Sequence, residues 1–174
     1  EGLLFHYYLN RTIGHITVDY ERILKKGFLG LKAEVEKQRD NIDYETAGCL
    51  EKLHVLDAMA MCCDAAVRFA ERYAEEANRL ADEERDPARR DELKQIAQIC
   101  RRVPAHPART FREAIQSFWF THLMLNLETN SYAIGPGRFD QYLFPYYQTD
   151  IETGQLSKQE AWELLACLWI KFNE

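Results

Sequence analysis

The chain has 174 residues, 47% hydrophobic and 12% aromatic, so it carries enough apolar surface for a packed core and does not read as a disordered tail. A formal net charge of −6 argues against nucleic acid as the main partner. No apolar run reaches the roughly 20 residues of a membrane helix, and the opening "EGLLFHYYLNR" has neither the basic region nor the cleavage site of a secretion signal.

In chain order, "NRTIGHITVDY" comes first. His15 follows Gly14 and precedes a β-branched pair, so a histidine stands where the backbone can turn tightly. Such a His can bond a substrate hydroxyl or carboxylate, or can simply cap local structure. Residues 19–26 read as a short helix with Asp19 as N-cap and Gly27 as its stop, and "LGLKAEVEKQRDN" continues as another. From Tyr44 to about Glu84, Leu53, Leu56, Ala60, Cys63, Val67, Ala70, Ala74 and Ala77 recur three or four apart, the pattern of one helix face. The charged run "EEANRLADEERDPARRDE" reads as a solvated face and turn. Asp86 and Pro87 open a further helix reaching about Arg102, with Leu93, Ile96, Ile99 and Cys100 on one face.

"VPAHPART" reads as a rigid connector held extended by its prolines. Thr110 and Glu113 form a capping box opening "FREAIQSFWFTHLMLNLE", which is apolar nearly all round and is expected to be buried. The next stretch, "LETNSYAIGPGRFDQYLFPYY", breaks the helical pattern at Gly135, Pro136 and Gly137. Arg138 and Asp140 are expected to lock this turn, while Ser131 to Ala133 are better placed to face a cavity. Glu128 and Asp140 could suggest glycoside hydrolysis, but nothing in the sequence fixes their separation. Ser157 and Glu160 form a second capping box ahead of a last helix. His6 and His122 read as packing or polar-edge residues, His54 as helix surface and His106 as loop.

The five cysteines fall mostly on apolar helix faces, without zinc spacing, as free buried thiols of a reducing cytoplasm. The absence of an initial Met and the mid-pattern end "LLACLWIKFNE" lead us to expect truncation at both ends of a single domain with no internal boundary.

The stretches "GHITVDYERILKKG", "VRFAERYAEEANRLA", "VPAHPARTFREAIQSFWFTHL", "GPGRFDQYLFPYY" and "ELLACLWIKFNE" together resemble, in order, the glycyl radical enzymes of the pyruvate formate-lyase and glycerol dehydratase group. The resemblance implies a mainly α segment, the helical portion of a ten-stranded α/β barrel, from the N-terminal half of the enzyme. It implies cleavage of a C–C, C–O or C–N bond of a small molecule by thiyl-radical hydrogen abstraction, as in a lyase, a dehydratase or a formate acetyltransferase. It further implies a glycyl radical installed by an S-adenosylmethionine iron–sulfur activating enzyme, a homo-oligomer in the cytoplasm, and no metal, membrane or nucleic acid in this chain.

Neither the catalytic Cys loop nor the radical glycine is expected here. "AGCLEKL" has the letters of the family's Cys motif but stands too early, so Cys49 is not assigned as the thiyl residue. The family pattern places substrate contacts at the "GH" residue, His15, and at a residue eight positions earlier, Tyr7. It also places them at a pair before "GRFDQY", here Tyr132 and Ala133. Glycerol-type members carry His–Ser at that pair. Ala133 accepts no hydrogen bond, and a tyrosine titrates near pH 10, which puts glycerol and a hydroxyproline-like amine in doubt as substrates. A self-contained helical interaction module is the alternative reading.

Overall fold

The structure, a computed structural model, describes residues 14–129 and 133–173. Six helices follow one another: α1 (Tyr20–Asp40), α2 (Cys49–Glu83), α3 (Pro87–Arg102), α4 (Phe111–Thr129), α5 (Phe139–Glu152) and α6 (Lys158–Lys171). The described residues hold no strand, only an isolated parallel bridge between Thr17 and Gly135.

Gly27 breaks α1 as expected: its φ of 67° and ψ of 167° are open to glycine and strained for other residues. The connector after α3 presses into this break. Pro104 and Ala105 carbonyls accept from Phe28 N (2.8 Å) and Leu29 N (3.0 Å), satisfying amides that the break strips of helical partners. A Cβ on Gly27 would stand 2.3 Å from the Ala105 carbonyl oxygen. The connector therefore turns at 103–105, with a cis Val103–Pro104 bond, instead of running extended as its prolines suggest.

Helix α2 begins at Cys49, not Tyr44. The Asp43 carboxylate accepts from Glu45 N (3.0 Å) and the Thr46 hydroxyl (2.8 Å), so a side-chain turn competes with the helix over those residues. These bonds hold the Asp43 pKa below the usual carboxylate range. From there a stripe of mostly small buried residues, Ala60, Cys63, Ala66, Ala70, Ala74, Ala77 and Ala81, lies against its neighbours. Helices α1 and α3 pack along α2, and Cys100 joins Ala70, Ala74 and Phe120 in one cluster.

The main core gathers Tyr20, Leu24, Val103, Phe111, Ile115, Phe118, Leu143 and Leu168 around α4. Helix α4 is largely buried from Phe111 to His122, while its last turns are half-buried and Leu127 is exposed, so the all-round burial expected from its composition holds only for its first part. Thr110 caps it through Glu113 N (3.2 Å), but the Glu113 carboxylate reaches Arg109 N (2.8 Å) instead of closing the box. Burial alone would raise the Glu113 pKa; Arg109, with Arg102 beside it, holds the group below the usual range. The Ser157–Glu160 box before α6 forms in full. Cysteines 62 and 167 are exposed, a correction to the buried-thiol reading, because their helix faces are not covered by this chain. Exposed apolar groups on α6 include Trp162 (64%) and Ile170 (63%).

Candidate functional site

Two short non-helical segments meet in front of α1 and α5. The backbone of 15–17 runs beside that of 133–137, paired at Thr17 and Gly135, and Gly135 N donates to Ile16 O at 3.0 Å. The close approach depends on Gly137. Its φ is +62°, and a Cβ there would stand 2.7 Å from Thr17 Cγ2.

His15 and Ala133 flank the bridge, and both are exposed. Their φ angles are 59° and 57°; among the described residues, they are the non-glycine residues with positive φ. A left-handed conformation costs an L-residue roughly 1–2 kcal/mol, and such residues cluster where the surroundings dictate a geometry. Tyr7 and Tyr132 lie outside the described residues, as do Asn130 and Ser131.

Beneath the bridge lies an aromatic block. Tyr20 is 1% exposed, and its hydroxyl lies 3.1 Å from His122 Nδ1 on α4. The Tyr142 hydroxyl on α5 donates to the Pro136 carbonyl at 2.7 Å. The Tyr20 and Tyr142 ring centroids are 5.9 Å apart, and the Phe118 ring lies tilted 4.6 Å and 6.4 Å from them. Burial pushes the Tyr20 pKa up to about 12 and raises that of Tyr142, so both hydroxyls keep their protons. Burial also lowers the His122 pKa, which favours the neutral ring. Periodicity does not mark these three as neighbours, since they come from three helices far apart in sequence.

Arg138 and Asp140 form a bidentate pair at 3.0 and 2.8 Å, exposed to solvent. Among the described residues they pair with each other, not with the rest of the turn, so the lock expected of them reduces to a solvent-exposed pair. His54 and His106 are exposed, as read. Cys49 is half-buried with Val35, Ile42, Leu56 and Ala60, its thiol directed to the Tyr44 carbonyl at 3.5 Å, and belongs to a different cluster from the bridge. A cavity of about 610 Å³ lies among α3, α4, α5 and α6, lined by polar groups such as Gln95, Arg112 and Glu160, and involves neither His15 nor Ala133. One of its walls is Asp150, which is buried and accepts from Phe111 N (2.8 Å) to cap α4 from a distance. No helix among the described residues is long and apolar enough to cross a membrane.

The model of the pyruvate formate lyase-like family matches residues 2–174, and the chain belongs to that family. It is 43% identical to trans-4-hydroxy-L-proline dehydratase from Clostridioides difficile over 174 residues, covering 99% of this chain and 22% of that protein. It is 42% identical to isethionate sulfite-lyase from Oleidesulfovibrio alaskensis over 154 residues, covering 87% of this chain and 19% of the relative. The crystal structure of the Clostridioides difficile hydroxyproline dehydratase with trans-4-hydroxy-L-proline bound superposes with a TM-score of 0.90 at 44% identity, covering 94% of this chain and 21% of that one. These relatives are glycyl radical dehydratases and lyases, whose fold is a ten-stranded α/β barrel, and this chain is a mainly helical portion of that fold. The chain spans about a fifth of the length of the curated relatives it matches.

Proposed function

We propose that this chain lines the substrate pocket of a glycyl radical lyase or dehydratase and forms part of one domain with the rest of that enzyme. In this reading His15 orients a small-molecule substrate, Tyr7 and Tyr132 shape the pocket, and Ala133 leaves space where glycerol-type members carry a polar contact. The single observation that supports it is the Thr17–Gly135 bridge, which brings the His15 segment beside the Ala133 segment although they are more than a hundred residues apart. Left-handed backbone at both His15 and Ala133 adds to it. The exposed tryptophans of α6 fit a surface that the remainder of the enzyme covers.

A glycyl radical, installed by an activating enzyme, supplies hydrogen abstraction in such enzymes. The residues of this chain would bind and orient the substrate and keep water from it. Cys49, packed in another cluster, stays outside the site. An exposed His15 in this chain is consistent with a pocket whose far wall comes from elsewhere in the protein.

The test uses the full-length protein, activated anaerobically, with trans-4-hydroxy-L-proline, isethionate and glycerol as substrates. The substitution His15→Ala is expected to lower turnover of the accepted substrate at least about 100-fold, the scale on which misplacement acts, while the glycyl radical signal in electron paramagnetic resonance is unchanged. Unchanged turnover removes His15 from the site.

A further inference from the structure

The bridge alone does not hold the corner. It is one backbone hydrogen bond between two half-buried residues, Gly135 and Ile16, beside the exposed Thr17, and an isolated bond of this kind opens readily in local fluctuations. Each segment, however, is rooted in a tyrosine, Tyr20 buried and Tyr142 half-buried. Tyr20 is five residues past His15 and opens α1; the Tyr142 hydroxyl grips Pro136, three residues past Ala133. Because the two rings pack on each other and share Phe118, movement of one root displaces the other.

The hydroxyls carry the positional information. Phenylalanine would fill the same space at either position, and burying a hydroxyl is unfavourable unless it is bonded. Both are bonded, and to groups that fix direction. Tyr142 donates to a main-chain carbonyl inside the turn. Tyr20 meets Nδ1 of His122, which is 9% exposed and held by a stacked Phe118 ring at 5.7 Å and an edge contact from Phe172 at 5.2 Å. With the neutral imidazole protonated on Nε2, Nδ1 accepts the Tyr20 proton.

We propose that Tyr20, His122 and Tyr142 are positioning residues that set the separation and register of the His15 and Ala133 segments, Tyr20 through His122 and Tyr142 through the Pro136 carbonyl. As a statement about substrate positioning, this rests on the pocket-lining reading above; as a statement about the register of the two segments, it is tested without substrate.

The experiment is hydrogen exchange read by mass spectrometry on the full-length protein, comparing peptides across 133–138 and 14–19 with peptides from α2 and α3. Tyr142→Phe and Tyr20→Phe are each expected to speed exchange at the corner about 5- to 10-fold, the effect of losing one side-chain hydrogen bond, with α2 and α3 unchanged. His122→Asn, which can keep an acceptor near Nδ1, is expected to retain slow exchange, whereas His122→Leu loses it. With the substrate that the parent enzyme turns over, KM rises in the two tyrosine variants while the radical signal holds. Unchanged corner exchange in both tyrosine variants, or a rise shared equally by α2 and α3, overturns the proposal. If His15→Ala leaves turnover intact, the pocket reading fails, and the exchange pattern still decides whether these residues set the register.

Discussion

Along α2 the buried positions recur from Leu56 to Ala81, mostly small side chains, in the helix along which α1 and α3 pack. At the corner, by contrast, two segments of a few residues meet through one bridge, two left-handed residues and two tyrosine hydroxyls. The first region distributes its stability over many equivalent contacts, so no single alanine decides it. The second concentrates geometry in a few bonds, so a small change there alters where His15 stands without unfolding the helices. A scaffold that holds its shape and a corner that can be retuned are what a pocket-bearing segment requires.

The most damaging change lies where the scaffold is least repetitive, at the seam between α1 and the connector. Gly27→Ala places a Cβ 2.3 Å from a main-chain oxygen that cannot move aside, at a φ of +67°. The expected loss is more than about 3 kcal/mol, read as a lowered thermal unfolding temperature of the full-length protein and low soluble yield. An unfolding temperature equal to the parent's would mean the seam opens without consequence, and the scaffold would then be as tolerant there as along α2.

A change of intermediate size separates the two regions directly. Gly137→Ala sets a methyl group 2.7 Å from Thr17 Cγ2 at a φ of +62°, an expected cost of about 1–2 kcal/mol. The bridge absorbs it, so corner exchange accelerates while the unfolding temperature falls only slightly. Adding Thr17→Ser removes the clashing methyl and is expected to recover part of the loss. Failure of the double variant to recover any of it would assign the damage to backbone strain instead of the clash.

The helices were legible in the sequence because periodic burial repeats often enough to be read: the cap at Asp86, the break at Gly27 and the Ser157–Glu160 box stand where the residues indicate. The start of α2 was misread, since Asp43 and Thr46 close a turn that hydrophobic spacing does not reveal. At the corner, the turn residues Gly14 and Gly135 to Gly137 drew attention to His15 and to Ser131–Ala133, and the family resemblance put His15 and Ala133 together as substrate contacts. Nothing in the local pattern announced that Thr17 would pair with Gly135, or that Tyr20, His122 and Tyr142 would meet beneath it. Those are long-range contacts, fixed by how α1, α4 and α5 pack.

The smallest expected effect concerns the most conspicuous polar pair of the turn. Arg138 and Asp140 look functional in sequence, charged residues immediately after a glycine-rich bend, and their bonds at 3.0 and 2.8 Å are well formed. Each raises or lowers the other's pKa in the sense of mutual stabilisation, yet both side chains are mostly in water, 70% and 57% exposed. Water and salt screen such a pair, and holding two flexible side chains together costs entropy. The turn, meanwhile, has a stronger restraint in the half-buried Tyr142 hydroxyl on Pro136. Arg138→Ala is therefore expected to leave the unfolding temperature, the exchange rate at 133–138 and KM within experimental scatter, and to do so equally in low and high salt. A salt-dependent rise in KM would show that Arg138 faces an anionic substrate, which would bring it into the site.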